Sequence, residues 1–472
     1  MKHFACIIGV LLTFSALGQE KFLDIPNDIT EGRRQVKNAF SVVDEITGNF
    51  AVFIDDDKTM NGYLYGKDLQ LIAKYASEGL PKKYDEIIGR TISGNQIRLF
   101  LKTSNNKKFG SILFDFNTSN STETEFDFKL RKEKFVQTYS YGDAFYIMSI
   151  VKDSSLLNFY IFKPDRGFSK ETLDLSKEKF RDATNKPSFL YELLTENTTF
   201  KDIIPVAKID ESTPNAIETT SASSKLYIRE NGLVFTLDEN LNVTYIIEIS
   251  LPDLNYTLTT VEKAPLNKLF KTTKSNSFLF EDNIFQIKAS HKEMIFEVKE
   301  LSSQKELKKI HLLREDSIYF KNSPIIKHGE FQDRELKNTS RFLLSISNTD
   351  LGIVVLPIQN GYRITMGGKY IREYYTNEGV SAKQIRGVTL TFNTSLFGYY
   401  TYSTTVSTRI ECLFDTSFNH IEGEVPANAF DNIKDYAESL PKTLAETVFK
   451  YKGALIYGQY NGIKHTYELT KF

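Results

Sequence analysis

Three short turn pairs constrain this chain more than any other feature. Gly48-Asn49, Gly94-Asn95 and Gly142-Asp143 each separate one apolar run from the next, at spacings of 46 and then 48 residues. Glycine beside Asn or Asp is a strong hairpin signal, because these residues accept the positive φ that a tight turn between twisted strands requires. Between Asp85 and Leu130 the full unit is visible. IIGRTI, QIRLFLKT, FGSILFDF and TETEFDF are strand-length runs split by Gly, Asn and Ser punctuation, in the manner of an antiparallel meander. Such a unit cannot bury both faces alone and must stack on its neighbours.

The pattern continues with looser spacing. Ser224–Arg229, Leu233–Leu237 and Val243–Ile249 read as three strands of a fourth unit. Phe278–Phe280, Ile284–Ala289, Met294–Leu301 and Lys308–Leu313 form a fifth. A sixth is expected from Phe342–Ser347, Gly352–Pro357, Leu396–Ser403, Val406–Asp415 and Asn419–Gly423. The last segment offers only Thr447–Tyr451, Ala454–Tyr460 and the run after the Asn461-Gly462 turn. The lone N-terminal run EKFLDI (Glu20–Ile25) is expected to supply its fourth strand, removing an exposed sheet edge. Between units, Tyr75–Lys82 and Tyr436–Lys442 are similar in sequence and read as equivalent crossings. PSFLYELLTEN reads as a short helix opened by Pro187.

This layout resembles the β-propeller superfamily over residues 20–472. The likeness implies an all-β chain of about seven four-stranded blades, closed by the N-terminal strand into one domain (19–472) with an insertion at about 359–387. The alternative is two β-sandwich domains meeting near Thr199. The chain contains no Trp, so neither the Trp-Asp dipeptide of WD repeats nor the Trp-ended Asp-box is present. No functional residue of a named propeller family can therefore be carried over.

Composition narrows the functional classes. With 36 Phe, 25 Tyr and 25% charged residues, the chain is globular and suited to half-buried sheets. Its 59 basic and 60 acidic side chains nearly cancel, so no net field draws in nucleic acid. Lys2, the apolar Phe4–Leu17 and Ala16-Leu17-Gly18 form a cleavable signal peptide (1–18), which implies export to the periplasm, cell surface or medium. No later run is long enough for a transmembrane helix. Beyond the signal, Cys412 is the single cysteine, so intrachain disulfides are excluded and stability must come from burial.

Catalytic and metal patterns are sparse. His291, His311, His328, His420 and His465 fall in no ligand spacing, and one thiol cannot build a Cys/His zinc site. Asp57, Thr59, Asn61, Gly62 and Asp68 partly copy a calcium loop. They lack its bidentate Glu and its flanking helices, and read as a solvated hairpin tip. Gly-x-Ser-x-Gly is absent, and Gly367-Gly368-Lys369 lacks the rest of a phosphate loop. No metal or cofactor is expected. The candidate binding residues are Tyr362, Arg363, Tyr370, Arg372, Tyr374 and Tyr375, with Tyr399, Tyr400 and Tyr402 nearby in sequence. Tyr and Arg are enriched in binding hot spots, and insertions in ring-shaped repeats gather on one face. The expected function is non-enzymatic recognition of a protein or glycan. The alternative is a polysaccharide hydrolase or lyase that uses paired carboxylates.

Overall fold

A computed structural model describes residues 19–28, 36–56, 58–78, 80–81, 83–84, 86–103, 105–163, 167–195, 206–328, 333–370, 406–441 and 443–472. Strand β1 is Glu20–Pro26. Sheet I contains β2 (Asn38–Val43), β3 (Phe50–Asp55), β4 (Thr59–Tyr65) and β5 (Leu71–Glu78). Sheet II contains β6 (Glu86–Ser93), β7 (Gln96–Lys102), β8 (Phe109–Asp115) and β9 (Asn120–Phe126). Sheet III contains β10 (Glu133–Tyr141), β11 (Ala144–Val151), β12 (Leu156–Lys163) and β13 (Gly167–Asp174). Each is an antiparallel meander in chain order. A small hairpin, β14 (Phe180–Arg181) and β15 (Pro187–Ser188), precedes helix α1 (Leu190–Thr195).

Sheet IV adds β16 (Ala207–Ile209) in parallel to β17 (Ser224–Arg229). Helix α2 (Ile217–Thr220) lies between them in sequence, and β18 (Gly232–Leu237), β19 (Val243–Ser250) and β20 (Tyr256–Glu262) follow. Sheet V contains β21 (Lys274–Phe280), β22 (Asn283–Ala289), β23 (Glu293–Glu300) and β24 (Glu306–Leu313). Sheet VI is built from β25 (Ile326–His328), β26 (Arg334–Glu335), β27 (Asp350–Ile358), β28 (Gly361–Tyr370) and β29 (Val406–Phe414), with helix α3 (Thr339–Ile346) before β27. Helix α4 (Ala429–Ser439) leads into β30 (Leu444–Tyr451), β31 (Ala454–Asn461) and β32 (Thr466–Lys471). Strand β1 completes this sheet VII by pairing antiparallel with β32.

The expected turns are present. Gly48, Gly94 and Gly142 have φ of 75°, 57° and 57°, a region that costs a residue with a Cβ. Burial falls across each meander. Seven of the eight residues of β11 are buried, whereas seven of the eight in β13 are exposed. The sequence explains the gradient, because AFYIMSIV is apolar throughout while GFSKETLD carries charges that blunt an open edge.

Buried clusters join successive sheets. Phe50, Val52 and Tyr63 of sheet I pack with Ile25, Ile456 and Tyr467 of sheet VII. Sheets I and II share Phe53, Leu99 and Phe114, and sheets II and III share Phe100, Phe145 and Phe162. Sheets III and IV share Phe159 and Phe235, while one large cluster spans IV, V and VI.

The seam between IV and V also holds charge. Asp238 is fully buried, with Lys225 Nζ at 3.2 Å and Lys263 Nζ at 3.1 Å from its carboxylate. Ser277 Oγ and Thr244 Oγ1 donate to it at 2.7 and 2.8 Å. Burial alone would raise the Asp238 pKa, but Lys263, Lys225 and the two hydroxyls hold it well below the usual carboxylate range. On the same face of sheet V, Lys288 is 3% exposed. Burial first, and then Lys263, push its ammonium down to about 8, against the pull of Glu297.

Five sequence expectations are corrected, and the expected strand Leu396–Ser403 lies outside the described residues. Asn419–Gly423 forms no strand, since only His420 makes an isolated bridge, to Phe414. Phe342–Ser347 is helix α3 rather than a strand. Asn338 caps it by accepting from Arg341 N at 3.0 Å, and Phe342, Leu343 and Ile346 share its buried side. Pro187 sits in β15 and the following helix begins at Leu190, since residues Phe180–Arg181 offer Pro187 a hairpin partner. Tyr75 and Tyr436 are not equivalent, because Tyr75 lies in β5 and Tyr436 in α4, whose capping box at Asn428 and Asp431 nucleates helix. Residues 361–370 of the expected insertion form a full ladder strand between β27 and β29, because ITMGG continues the alternation that GYR begins.

Two outcomes test these packing arguments. Ile25→Ala, at a fully buried position of β1, should cost about 2–4 kcal/mol in a denaturant titration, while Leu71→Ala at an exposed site should cost little. Lys288 is protonated in both folded and unfolded chains below pH 8. Above that the folded chain loses the proton first, so stability should rise with pH until the free lysine value near 10.4. Lys288→Met should therefore be the more stable protein at pH 7, with its advantage shrinking by about 2 kcal/mol by pH 9.5.

Candidate functional site

Cross-strand register gathers polar residues on one face of sheet VI. Thr365 is opposite Val354 and Glu411, Gly367 is opposite Gly352 and Arg409, and Ser407 is opposite Lys369 and His328. Because side chains alternate along a strand, Arg363, Thr365, Arg409 and Glu411 share this face, while Ile364, Met366, Ile410 and Cys412 enter the core. Residues 214–218 and the α4 cap residue Asn428 cover part of the polar face. The cleft they leave is narrow, with a volume of about 30 Å³.

Arg363 braces this arrangement. Its guanidinium lies 2.8 Å from Glu411 and 3.0 Å from Asp431, and donates to Pro426 O at 2.8 Å. Asp431 also accepts from Asn428 N at 2.9 Å, so one carboxylate caps α4 and ties it to sheet VI. Burial works against the Arg363 charge, but Glu411 and Asp431 outweigh it and raise the guanidinium pKa above its ordinary value. Arg409 is held less tightly, with its Nε 4.0 Å from Glu411.

The other expected residues divide. Tyr362 stacks on Phe418 at 5.3 Å and 13° and meets Phe280 and Phe285 of sheet V edge-on, so it packs the seam between sheets V and VI rather than presenting a free ring. Tyr370 is the last residue of β28. Arg372, Tyr374, Tyr375, Tyr399, Tyr400 and Tyr402 lie outside the described residues.

A Ser/His/Asp grouping appears that sequence spacing could not show. His328 Nδ1 is 2.8 Å from Asp333, and Ser407 stands directly across the ladder. Burial and Arg409 lower the His328 pKa, with Asp333 opposing. Among the described residues the Ser407 hydroxyl has no partner, yet the residue is 1% exposed, which closes it to an incoming substrate. The calcium-like stretch is also resolved. Asn61 and Gly62 lie within β4, and Asp56 closes a local turn on Thr59 N at 2.8 Å, so these side chains do not converge as a loop. Asp57 lies outside the described residues. Among the described residues, no three His, Cys, Asp or Glu side chains come together as a metal site. No described helix is long and apolar enough to cross a membrane.

One segment that the sequence did not single out touches five sheets. Val206 O accepts from Gln137 of sheet III at 2.8 Å, and Glu211 pairs with Arg229 of sheet IV at 2.9 Å. Ser212 Oγ accepts from Lys450 of sheet VII at 2.7 Å. Glu218 O accepts from Lys369 of sheet VI at 3.2 Å, and Ala222 O from Asn276 of sheet V at 3.3 Å. Gly352 admits the segment, since a Cβ there would meet Ile217 and Ser221 at 3.1 and 3.2 Å. ESTPNAIETTSASS has neither strand nor helix period, so nothing in its sequence announces this position.

No protein-family model matches the sequence, and no curated protein matches it. Among solved structures, an ACO/RPE65 chimera aligns with a TM-score of 0.29 at 7% identity, over 56% of this chain and 58% of the chimera. A Synechocystis apocarotenoid oxygenase mutant aligns at 0.30 and 8%, over 60% of this chain and 63% of that one. A mutant of AofleA from Arthrobotrys oligospora aligns at 0.26 and 8%, over 74% and 88%. The chain thus spans under two thirds of these two oxygenase chains, and likeness at this level assigns neither a family nor an activity.

The two arginines should behave differently. Arg363→Ala leaves two carboxylates facing each other and should cost about 2–4 kcal/mol of stability by denaturant titration. Arg409→Ala should stay within about 1 kcal/mol of the parent.

Proposed function

We propose that the chain is an exported binding protein in which seven sheets stack as the blades of a β-propeller and recognise a protein or glycan through one face. Supporting the architecture, buried clusters run from sheet I through to sheet VI, and another links VII back to I. A segment touching five sheets at once is what a plug along the axis of such a ring would do. Supporting export, the first eighteen residues carry the charge, apolar run and small-residue site of a signal peptide.

The observation that carries the functional reading is the cleft on sheet VI. Arg363 is consumed in bracing, while Arg409 lines the cleft and, among the described residues, makes one long ion-pair contact. A fixed cation in a concave site serves recognition, since arginine keeps its proton and is a poor acid or base. The strands bearing these residues, β28 and β29, are also the ones joined by residues 371–405, which include Arg372, Tyr374 and Tyr375.

The hydrolase alternative needs two carboxyls flanking a scissile bond, one of them kept neutral. Glu411 and Asp431 instead converge on Arg363. Among the described residues, carboxylates with displaced pKa values, such as Glu133 and Asp238, are shifted down.

Affinity electrophoresis against a panel of neutral and acidic polysaccharides tests the reading. The protein should be retarded by at least one polymer without releasing reducing ends. Arg409→Glu, or deletion of residues 371–383 after the end of β28, should remove the retardation and leave the fold intact. Polymer cleavage, or retardation indifferent to both variants, would refute it.

A further inference from the structure

Four Asn-Gly pairs occur in the chain: Asn61-Gly62, Asn231-Gly232, Asn360-Gly361 and Asn461-Gly462. An Asn side chain is open to attack by the backbone nitrogen of the next residue, and glycine, with no Cβ, obstructs that approach least. The fold treats the four pairs differently. Gly62 is buried inside β4, opposite Phe53 and Tyr75 and beside a fully buried Asn61. Gly232 and Gly361 are the buried first residues of β18 and β28, paired across their hairpins with Arg229 and Ile358. A ladder residue is held extended by its neighbours, so its nitrogen is not free to turn back onto the preceding side chain. Of the four glycines, Gly462 alone is exposed, in the turn between β31 and β32, where its neighbour Ile463 is 92% exposed.

The turn also activates the side chain. Asn461 Oδ1 accepts from Ile463 N at 3.1 Å and from Lys464 N at 3.2 Å, which folds the amide over the peptide that follows it. Two N–H donors on one carbonyl draw electrons from Cγ and stabilise the negative charge that develops on Oδ1 during attack. At the other end of the amide, Nδ2 donates to Glu468 Oε1 at 3.2 Å, and Lys464 Nζ donates to the same oxygen at 2.8 Å. Much of the seam between sheets VII and I hangs on this turn. Asn461 faces Thr466 across the ladder, and Thr466 faces Pro26 of β1. His465 O accepts from Asn27 N at 3.0 Å, and Asn27 Oδ1 accepts from Tyr63 of sheet I at 3.2 Å.

We propose that Asn461-Gly462 is a self-modification site, at which Asn461 deamidates through a succinimide and so loosens the anchorage of β1. The Gly462 nitrogen, its proton lost to hydroxide, bonds to Asn461 Cγ. The Cγ–Nδ2 bond then breaks, and the nitrogen leaves as ammonia with a proton taken from water. Water opens the imide at either carbonyl, giving aspartate or isoaspartate. Both products place a carboxylate where the amide faced Glu468, and like charges in contact repel. Isoaspartate also routes the main chain through Cβ, which adds one bond of about 1.5 Å ahead of Gly462. The lengthened turn no longer fits the span from Asn461 to Thr466, and His465 is drawn off Asn27.

Peptide mass spectrometry on residues 19–472, aged in warm and mildly alkaline buffer, tests this, with enzymatic methylation to locate isoaspartate. Asn461 should gain about 1 Da at least about fivefold faster than Asn61, Asn231 or Asn360. Gly462→Ala should slow that gain by about tenfold, because a Cβ hinders the attacking nitrogen. Alanine suits the position, since Gly462 has open space around it and no positive φ. Hydrogen exchange of the β1 amides should quicken several-fold in the aged parent and stay unchanged in the aged Gly462→Ala protein. Circular dichroism before ageing guards against a misfolded variant. Conversion at Asn231 or Asn360 as fast as at Asn461, a gain indifferent to Gly462→Ala, or unaltered β1 exchange in fully converted protein would overturn the proposal.

Discussion

The pairing of β1 with β32 is the constraint on which the other contacts depend. Without it, β32 would present an open row of backbone donors and acceptors, and Ile25 could not fill the cluster shared by sheets VII and I. The interaction is non-local in the extreme, since Glu20 faces Lys471 across the ladder. The loop it closes is therefore almost the whole chain, and its entropic cost must be offset by burial rather than by local propensity. Cysteine offers no help, because Cys412 is the only thiol described and lies in the core. Ile25, Tyr467 and Leu469, all 1% exposed or less, are what make the pairing hold.

The seams between sheets are not alike in chemistry. Between II and III the contact is largely aromatic, with Phe100 over Phe145 at 4.0 Å. Between IV and V a buried carboxylate is held by two lysines and two hydroxyls, so loss of either lysine would leave buried charge less well compensated. Sheet VI meets α4 through Arg363, where Asp431 serves both a helix cap and an ion pair. This seam keeps a polar cleft, and its lining comes from strands that are otherwise regular.

Much of the fold was legible because hairpin turns and apolar runs are local signals. Gly48, Gly94 and Gly142 announced three sheets, and EKFLDI announced its own role by having no neighbour to pair with. What was not legible depended on tertiary context. RFLLSI has the composition of a strand and becomes helix because Asn338 caps it. The strand Gly361–Tyr370 was hidden by its Gly-Gly-Lys end, which resembles a loop. Of the candidate site, Arg363 was found by residue type, but its part as a brace could not be foreseen, since Glu411 and Asp431 lie far along the chain. The place of Arg409 in the cleft follows from register that no spacing rule supplies.

Native-state hydrogen exchange on residues 19–472 tests the closure claim most directly. If the two ends of the chain seal one cooperative ring, amides of β1 and β32 should exchange together, with an opening free energy equal to that of the most protected strands such as β11. Exchange of β1 amides at a far lower opening free energy than β11, with β32 still protected, would contradict the account and leave β1 a loosely docked edge.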